Sequence, residues 1–371
     1  MNIAYFTNIK IKESSGGGSG VNFAIFSFLK KESSTITYSV IKPKFDLLSK
    51  IKSIFLKKIG VKRNYHYFSE KRLLKVDKIF KSYKKEDNID AYFFHGFTQW
   101  IKTKPDKPYY CFNDACFATY VEIYNNKSEF STKDLKRIYK QEAEWLNNAK
   151  KVFFRSKWAL EETKKKYKIK GLNFENVGVG GFIDIPEKDE YKEGINFLFV
   201  SREFIPKGGL VVVEAIKLLR KTNKQVNLWI VGDDPGAKIK AIDGVNYLGF
   251  FKKNIKSQKE ELVKIFKKAF ALIHPTLKDT NTLVISELAY FGCPSISTDK
   301  FAIPEYLIDG KSGYLLDNPR DEVELANKMR KMIEDESNYL KMRQFARENA
   351  VENNTWQKVG ERIFKSIIAS K

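Results

Sequence analysis

One stretch in the second half of the chain gathers the residue types that ligand chemistry needs: His274-Pro275-Thr276-Leu277-Lys278-Asp279-Thr280-Asn281-Thr282-Leu283-Val284-Ile285-Ser286-Glu287. A strand pattern ends at His274, a polar loop follows, and an apolar helix starts near Leu283. Backbone N–H groups at such a helix start attract anions, helped by the helix dipole. Asp279 and Glu287 lie eight residues apart, one on the loop and one a turn into the helix. They can project toward one ligand from different heights, as two acceptors for sugar hydroxyls, although plain surface acids would show the same spacing. Earlier, Val200-Ser201-Arg202-Glu203-Phe204-Ile205-Pro206-Lys207-Gly208-Gly209 ends a strand with an Arg and a Lys five residues apart. On a loop entering a helix, two such cations can clamp a diphosphate. Trp229 to Gly236 ends another strand in an acidic turn, and Gly249-Phe250-Phe251 marks a further turn. Gly292-Cys293-Pro294, Pro304-Glu305 and Asp309-Gly310-Lys311-Ser312-Gly313 complete the series.

The first half offers less. Gly16-Gly17-Gly18-Ser19-Gly20 reads as a loop between a strand and a helix; it lacks the Gly-Lys-Ser/Thr ending of a P-loop. His95-Gly96 ends one strand, and Asp114 follows another within Cys111-Phe112-Asn113-Asp114-Ala115-Cys116-Phe117. Each of these polar groups fits a cap as well as a catalyst.

The elements that must position these residues alternate. Asn2–Thr7, Thr35–Val40, Ala91–Phe94, Tyr109–Phe112 and Val152–Phe154 read as strands, and Val21–Lys31, Leu47–Ile59, Glu70–Tyr83 and Lys133–Lys150 as helices. After the polar stretch Ile185–Gly194 the alternation resumes. The second set of strands is Ile195–Val200, Asn227–Val231, Phe270–His274 and Pro294–Ser297. Its helices are Gly209–Lys221, Glu260–Lys268, Leu283–Phe291 and Glu322–Glu334. This order predicts two parallel sheets covered by helices, hence a bilobal α/β protein with ligands at the carboxyl ends of the strands. Thr355 is a good N-cap for a last helix carrying Trp356, Val359, Ile363, Phe364, Ile367 and Ile368 as an apolar stripe.

Composition narrows the field. The chain has 371 residues, 43% of them hydrophobic, which is ample for packed cores and excludes wholesale disorder. No apolar stretch approaches the roughly 20 residues of a membrane span, and Met1 to Ile9 lacks the pattern of a secretory signal. Three cysteines and three histidines, without metal-ligand spacing, fit a reducing cytoplasm and predict no metal centre. The formal net charge of +22 is concentrated: residues 41–85 hold 15 Lys+Arg against Asp46, Glu70 and Asp77. Within them Leu47, Leu48, Ile51, Ile54, Phe55 and Ile59 fall at helical spacing among Lys50, Lys52, Lys57 and Lys58. The segment 45–59 can therefore lie on an anionic membrane surface, leaving the protein cytoplasmic or peripheral on the inner face of the cell membrane. Equally, it can pack into the core with a solvated lysine face. No zinc finger, RNP-like aromatic pattern or arginine-rich helix accompanies the charge, so nucleic acid is the poorer partner.

From about residue 195 onward, the order of these motifs resembles the retaining glycosyltransferases of the GT-B fold, family 4 type. Those enzymes have an Arg and Lys pair before a KG step, a glycine–aspartate turn and an acid–x7–acid motif. A GxP strand, a "PE…DGxxG" segment and a Trp-led last helix follow. The resemblance implies two Rossmann-like α/β domains facing across a cleft. Residues 1–186 would form the acceptor side, 187–354 the donor side, and the last helix, 355–371, would cross back to the first domain. It implies transfer of a sugar from a nucleotide-diphosphate-sugar to a glycan or lipid-linked acceptor with retention, without cofactor or metal, in surface polysaccharide or glycolipid synthesis. On that reading Asp233-Asp234 is turn chemistry. Arg202 and Lys207 would hold the diphosphate, Glu287 the ribose and Asp279 the transferred sugar. Amides around Asn281, Thr282 and Leu283 would meet sugar or phosphate, Phe250 and Phe251 would lie near the base, and Gly17 and Gly18 would approach the donor phosphate and acceptor. Asp114, or else His95, would contact the sugar or activate the acceptor. Thr280 and Thr282 stand where the family has glycines. Rival readings are a nucleotide-sugar epimerase of the same architecture and a non-catalytic nucleic-acid-binding protein.

Overall fold

The computed structural model describes residues 1–11, 16–44, 46–83, 88–192 and 194–370. The chain divides into two compact units. The first comprises the N-terminal strand, Gly17–Gly178 and the chain from Val359 on; the second is essentially Val179–Lys358.

The first unit runs β1 (Asn2–Thr7), α1 (Gly17–Glu32), β2 (Thr35–Val40), α2 (Leu47–Lys58), α3 (Glu70–Tyr83) and β3 (Ala91–His95). It continues with β4 (Tyr109–Asn113), α4 (Phe117–Tyr124), α5 (Thr132–Asn147), β5 (Lys151–Phe154), α6 (Lys157–Tyr167) and β6 (Phe174–Asn176). The six strands form an all-parallel sheet in the order β2-β1-β3-β4-β5-β6. Helices on a parallel sheet bury both of its faces, so its strands read as continuous apolar runs. β3, Ala-Tyr-Phe-Phe-His, is buried along its whole length. One face carries an aromatic cluster in which Phe6 stacks on Phe94, and Phe80 and Trp100 meet them edge-on or tilted. Serines start the helices that close the layer: Ser131 Oγ accepts from the Asp134 amide and Ser156 Oγ from the Ala159 amide.

The second unit runs β7 (Asn196–Ser201), α7 (Gly209–Arg220), β8 (Asn227–Gly232), α8 (Ala237–Lys240), β9 (Val245–Gly249) and α9 (Lys256–Lys267). Then come β10 (Ala271–His274), α10 (Leu283–Ala289), β11 (Ser295–Thr298), β12 (Gly313–Leu316), α11 (Glu322–Glu334), α12 (Glu336–Asn353) and α13 (Trp356–Ala369). Its sheet is also six-stranded and parallel, ordered β12-β11-β10-β7-β8-β9. Val212, Val213, Ile216 and Leu219 give α7 a buried stripe at helical spacing. Thr355 caps α13, accepting from the Lys358 amide. From Val359 on, α13 belongs to the first unit: Gly360 lies directly on the Phe28 ring of α1, and Tyr110 meets Ser370 at 3.1 Å.

Two local expectations change. The glycine cluster is not all loop, because Gly17 and Gly18 already form the first turn of α1. The core-packed alternative for residues 47–59 fails as well. Leu47, Leu48, Ile51, Ile54 and Phe55 are exposed, and Ser53 is the buried residue of α2.

Candidate functional site

In each sheet the strand order reverses next to the first strand. Parallel α/β sheets bind ligands in the crevice this opens at their carboxyl ends. In the second unit the reversal lies between β7 and β10. The loops leaving those strands are 202–208 and 275–282, the two segments richest in candidate chemistry.

Those loops are fastened together. The Leu277 amide donates to the Pro206 carbonyl at 3.1 Å. Lys207 Nζ donates to the Lys278 carbonyl at 2.7 Å and to Asp279 Oδ2 at 2.8 Å. Gly208 makes this approach possible: its φ is +85°, and a Cβ there would collide with the Pro275 carbonyl. The Arg202 guanidinium lies over the Phe250 ring at 4.5 Å, so the cation after β7 and the aromatic after β9 form one exposed platform. Asp279 Oδ1 also accepts from the Asn281 amide at 3.2 Å.

Behind this surface polar atoms accumulate without protein partners. Asn281 Nδ2, Thr282 Oγ1, Ser286 Oγ and His274 Nδ1 are buried and make no hydrogen bond. Such groups are rare in folded proteins and mark a place where another molecule or water is expected. Asn281 keeps one bond, its Oδ1 accepting from Tyr306 at 2.7 Å. Burial depresses the His274 pKa to about 4, only partly opposed by Asp279, while nearby Lys207 lowers it further. The imidazole is therefore neutral at physiological pH.

Glu287 goes elsewhere than Asp279. Its carboxylate, 2% exposed as a residue, takes Lys253 Nζ on both oxygens at 2.5 Å and the Phe182 amide at 2.9 Å. Gly181 lets the chain pass, because a Cβ there would sit 2.6 Å from Glu287 Cγ. Lys253, Tyr306 and His274 are thus parts of this region that sequence reasoning left unassigned.

In the first unit the reversal lies between β1 and β3. A cavity of about 280 Å³ opens there, lined by residues that follow β1, β3, β4 and β5, among them Asn8, His95, Asp114 and Arg155, together with Gly18. Asp114 and His95, alternatives in the sequence, share this cavity; Gly17 is not part of its wall. His95 Nδ1 lies 3.4 Å from the Tyr5 hydroxyl, which donates to Asn22 Oδ1 at 2.7 Å, and Asn22 Nδ2 donates to Thr7 Oγ1 at 2.9 Å. Burial, and then Arg155, push the His95 pKa down to about 3. General bases work best with a pKa near the operating pH. His95 is therefore a poor base and a good neutral hydrogen-bonding group, while half-buried Asp114 is the better placed carboxylate. A larger cavity of about 610 Å³ in the second unit borders Ile195 and Phe270, which precede β7 and β10. It lies at the amino ends of the strands, away from the binding edge. Among the described residues no group of three His, Cys, Asp or Glu side chains could hold a metal ion.

Residues 182–350 match the family described as glycosyl transferases group 1. The glycogen synthase of Mycobacterium tuberculosis is 24% identical over 182 residues, 47% of this chain and 42% of that protein. The chain thus matches less than half the length of its curated relatives. Sucrose-phosphate synthase from Thermosynechococcus elongatus superimposes over the full length of both chains with a TM-score of 0.69 at 15% identity. Anabaena HepE in complex with UDP does so with a TM-score of 0.69 at 16% identity. The lipopolysaccharide outer core galactosyltransferase WaaB, in its apo form, gives the same values. The chain has the GT-B fold, and residues 182–350 of its second unit resemble the glycosyl transferases group 1 family.

Proposed function

We propose that this chain is a glycosyltransferase that moves a sugar from a nucleotide-diphosphate-sugar to a glycan or lipid-linked acceptor. The reading includes retention of anomeric configuration, independence of metal, and a role in surface polysaccharide or glycolipid synthesis at the cytoplasmic side of the cell membrane. One observation carries it: Lys207 and Asp279 are joined where the second sheet reverses, next to the buried, unpartnered atoms Asn281 Nδ2, Thr282 Oγ1 and Ser286 Oγ. A cation beside buried polar groups that lack partners suits a sugar diphosphate. HepE, which shares the fold, is a UDP-binding protein by its own structure.

On this reading the bond between the anomeric carbon and the diphosphate oxygen breaks, leaving growing negative charge on the leaving group and positive character on the sugar ring. Lys207 and Arg202 supply fixed counter-charge to the diphosphate, and Asp279 faces the sugar. Preorganised charge of this kind is commonly the largest catalytic contribution. The acceptor oxygen attacks from the side the diphosphate leaves and passes its proton to that phosphate, giving the glycoside and the nucleoside diphosphate. Glu287, anchored by Lys253, holds the ribose, and Phe250 stacks near the base. Asp114 orients the acceptor from the first unit.

The test is release of UDP, GDP or ADP from a panel of nucleotide sugars, with and without acceptor glycans, in buffer and in EDTA. One sugar donor turned over equally in both buffers, and blocked by Lys207→Ala, supports the proposal. Proton NMR of the first product then reads its anomeric configuration, and inversion would refute the retaining part.

A further inference from the structure

Helix α2, 12 residues from Leu47 to Lys58, is turned inside out for a soluble protein. Amphipathic helices normally face their apolar stripe to the core. Here the side resting on the protein is Ser53, buried, with Ser49 and Leu56 half-buried. The opposite side presents Leu47, Leu48, Ile51, Ile54 and Phe55, between 55% and 74% exposed, and Ile59 continues it at 52%. At about 100° per residue these six positions form one stripe centred opposite Ser53. Single exposed apolar residues need no explanation, but six on one helix face do.

The charges at the borders of the stripe identify what it meets. Lys50 and Lys57 project along one edge and Lys52 along the other, and Lys58 lies within it. All four are exposed, as is Lys62 beyond the turn at Gly60. No acid occurs between Asp46 and Glu70. A protein partner would have to match a dense positive rim around a flat apolar strip. A bilayer with anionic headgroups matches it without any particular shape, because lysine stems reach up to the phosphates while the apolar side chains enter the acyl boundary. We infer that α2 docks this protein on an anionic lipid bilayer, apolar face down. This does not rest on the donor reading, since α2 belongs to the first unit.

The test uses the full chain and vesicles of phosphatidylcholine alone or with about one-third phosphatidylglycerol. Co-sedimentation is expected with the anionic vesicles and at least tenfold less with the neutral ones. K50E/K52E/K57E/K58E and, separately, I51S/F55S should each lose binding by tenfold or more while keeping the wild-type melting temperature, since the altered side chains are exposed. Phe55→Trp adds a probe to the stripe, and its fluorescence should shift to the blue on anionic vesicles. Equal partitioning of the charge-reversal variant overturns the inference. So does undiminished binding of I51S/F55S with no shift at Trp, which would mean charge attraction only. Two further results overturn it: competition of vesicle binding by random duplex DNA, with DNA held equally by I51S/F55S, or a dimer that I51S/F55S dissociates.

Discussion

The two units answer the same topological problem with different chemistry. Each has six parallel strands reversing beside its first strand, β1 against β3 and β7 against β10, and in each the strand across the reversal ends in a buried histidine. In the second unit His274 sits behind charged loops tied by Lys207 and Asp279, with unpartnered polar atoms around it. In the first, His95 belongs to a hydrogen-bonded chain through Tyr5, Asn22 and Thr7, beside a cavity with one cation, Arg155, and one carboxylate, Asp114. One edge is built to meet fixed charge and the other is nearly neutral. A diphosphate needs the former. A hydroxyl acceptor is served by the latter, so the division of labour proposed above follows from the polar groups at each edge.

The comparison can be broken in several places. The largest effect is expected at the loop contact beside the reversal of the second unit. Gly208→Ala meets both a left-handed backbone and the Pro275 carbonyl, and should cost roughly 3 kcal/mol in urea unfolding. Gly18→Ala, helical and 3.4 Å from the nearest side-chain atom, should cost nothing and gain up to about 1 kcal/mol from better helix propensity. Equal losses would show that the two edges are not differently constrained.

The histidines sharpen it next. Both have pKa values held below the ordinary 6.5, so the stability they contribute is complete above pH 6.5 and declines as pH falls. His274 stops contributing to the slope near pH 4, whereas His95 continues toward pH 3. Stability against pH for His95→Gln and His274→Gln should therefore lose the same acid slope down to about pH 4 and diverge below it. Curves parallel to wild type would contradict burial as the cause.

A third prediction separates binding from transfer. Lys207→Ala should weaken nucleotide binding by tenfold or more, about 1.4 kcal/mol, in calorimetry. Asp114→Ala should leave that affinity unchanged and slow transfer. The smallest effect belongs to Phe250→Ala, which removes the ring beneath Arg202 and should cost about 0.5–1 kcal/mol of nucleotide affinity with no change in melting temperature.

How much of this was legible varied with the physics of each segment. Strands buried on both faces announce themselves, and β1 and β3 fall within a residue of where their apolar runs put them. β9 and β12 are short and bounded by glycines, so they read as turns. Helix α12 was missed because its buried residues are Tyr339, Met342, Arg343, Ala346 and Ala350, a stripe too polar and too small to show a period. In the site, Lys207 and Asp279 could be named because they lie on polar loops that follow strands and lead into helices. Lys253 could not, since one lysine among 56 carries no signal until the fold carries it to Glu287. The periodicity of α2 was plain, but its direction was not: spacing shows that a face is apolar and says nothing of which way it points.

The most direct measurement is a thermal-shift screen of UDP, GDP, ADP and their sugar conjugates on wild type, Lys207→Ala and His95→Gln. A ligand at 100 times its dissociation constant stabilises by about 2.7 kcal/mol, a readable shift. One nucleotide series should raise the melting temperature of wild type and His95→Gln and fail with Lys207→Ala. Shifts that survive Lys207→Ala and vanish with His95→Gln, or no shift in any of the three, would contradict a donor site at the second sheet.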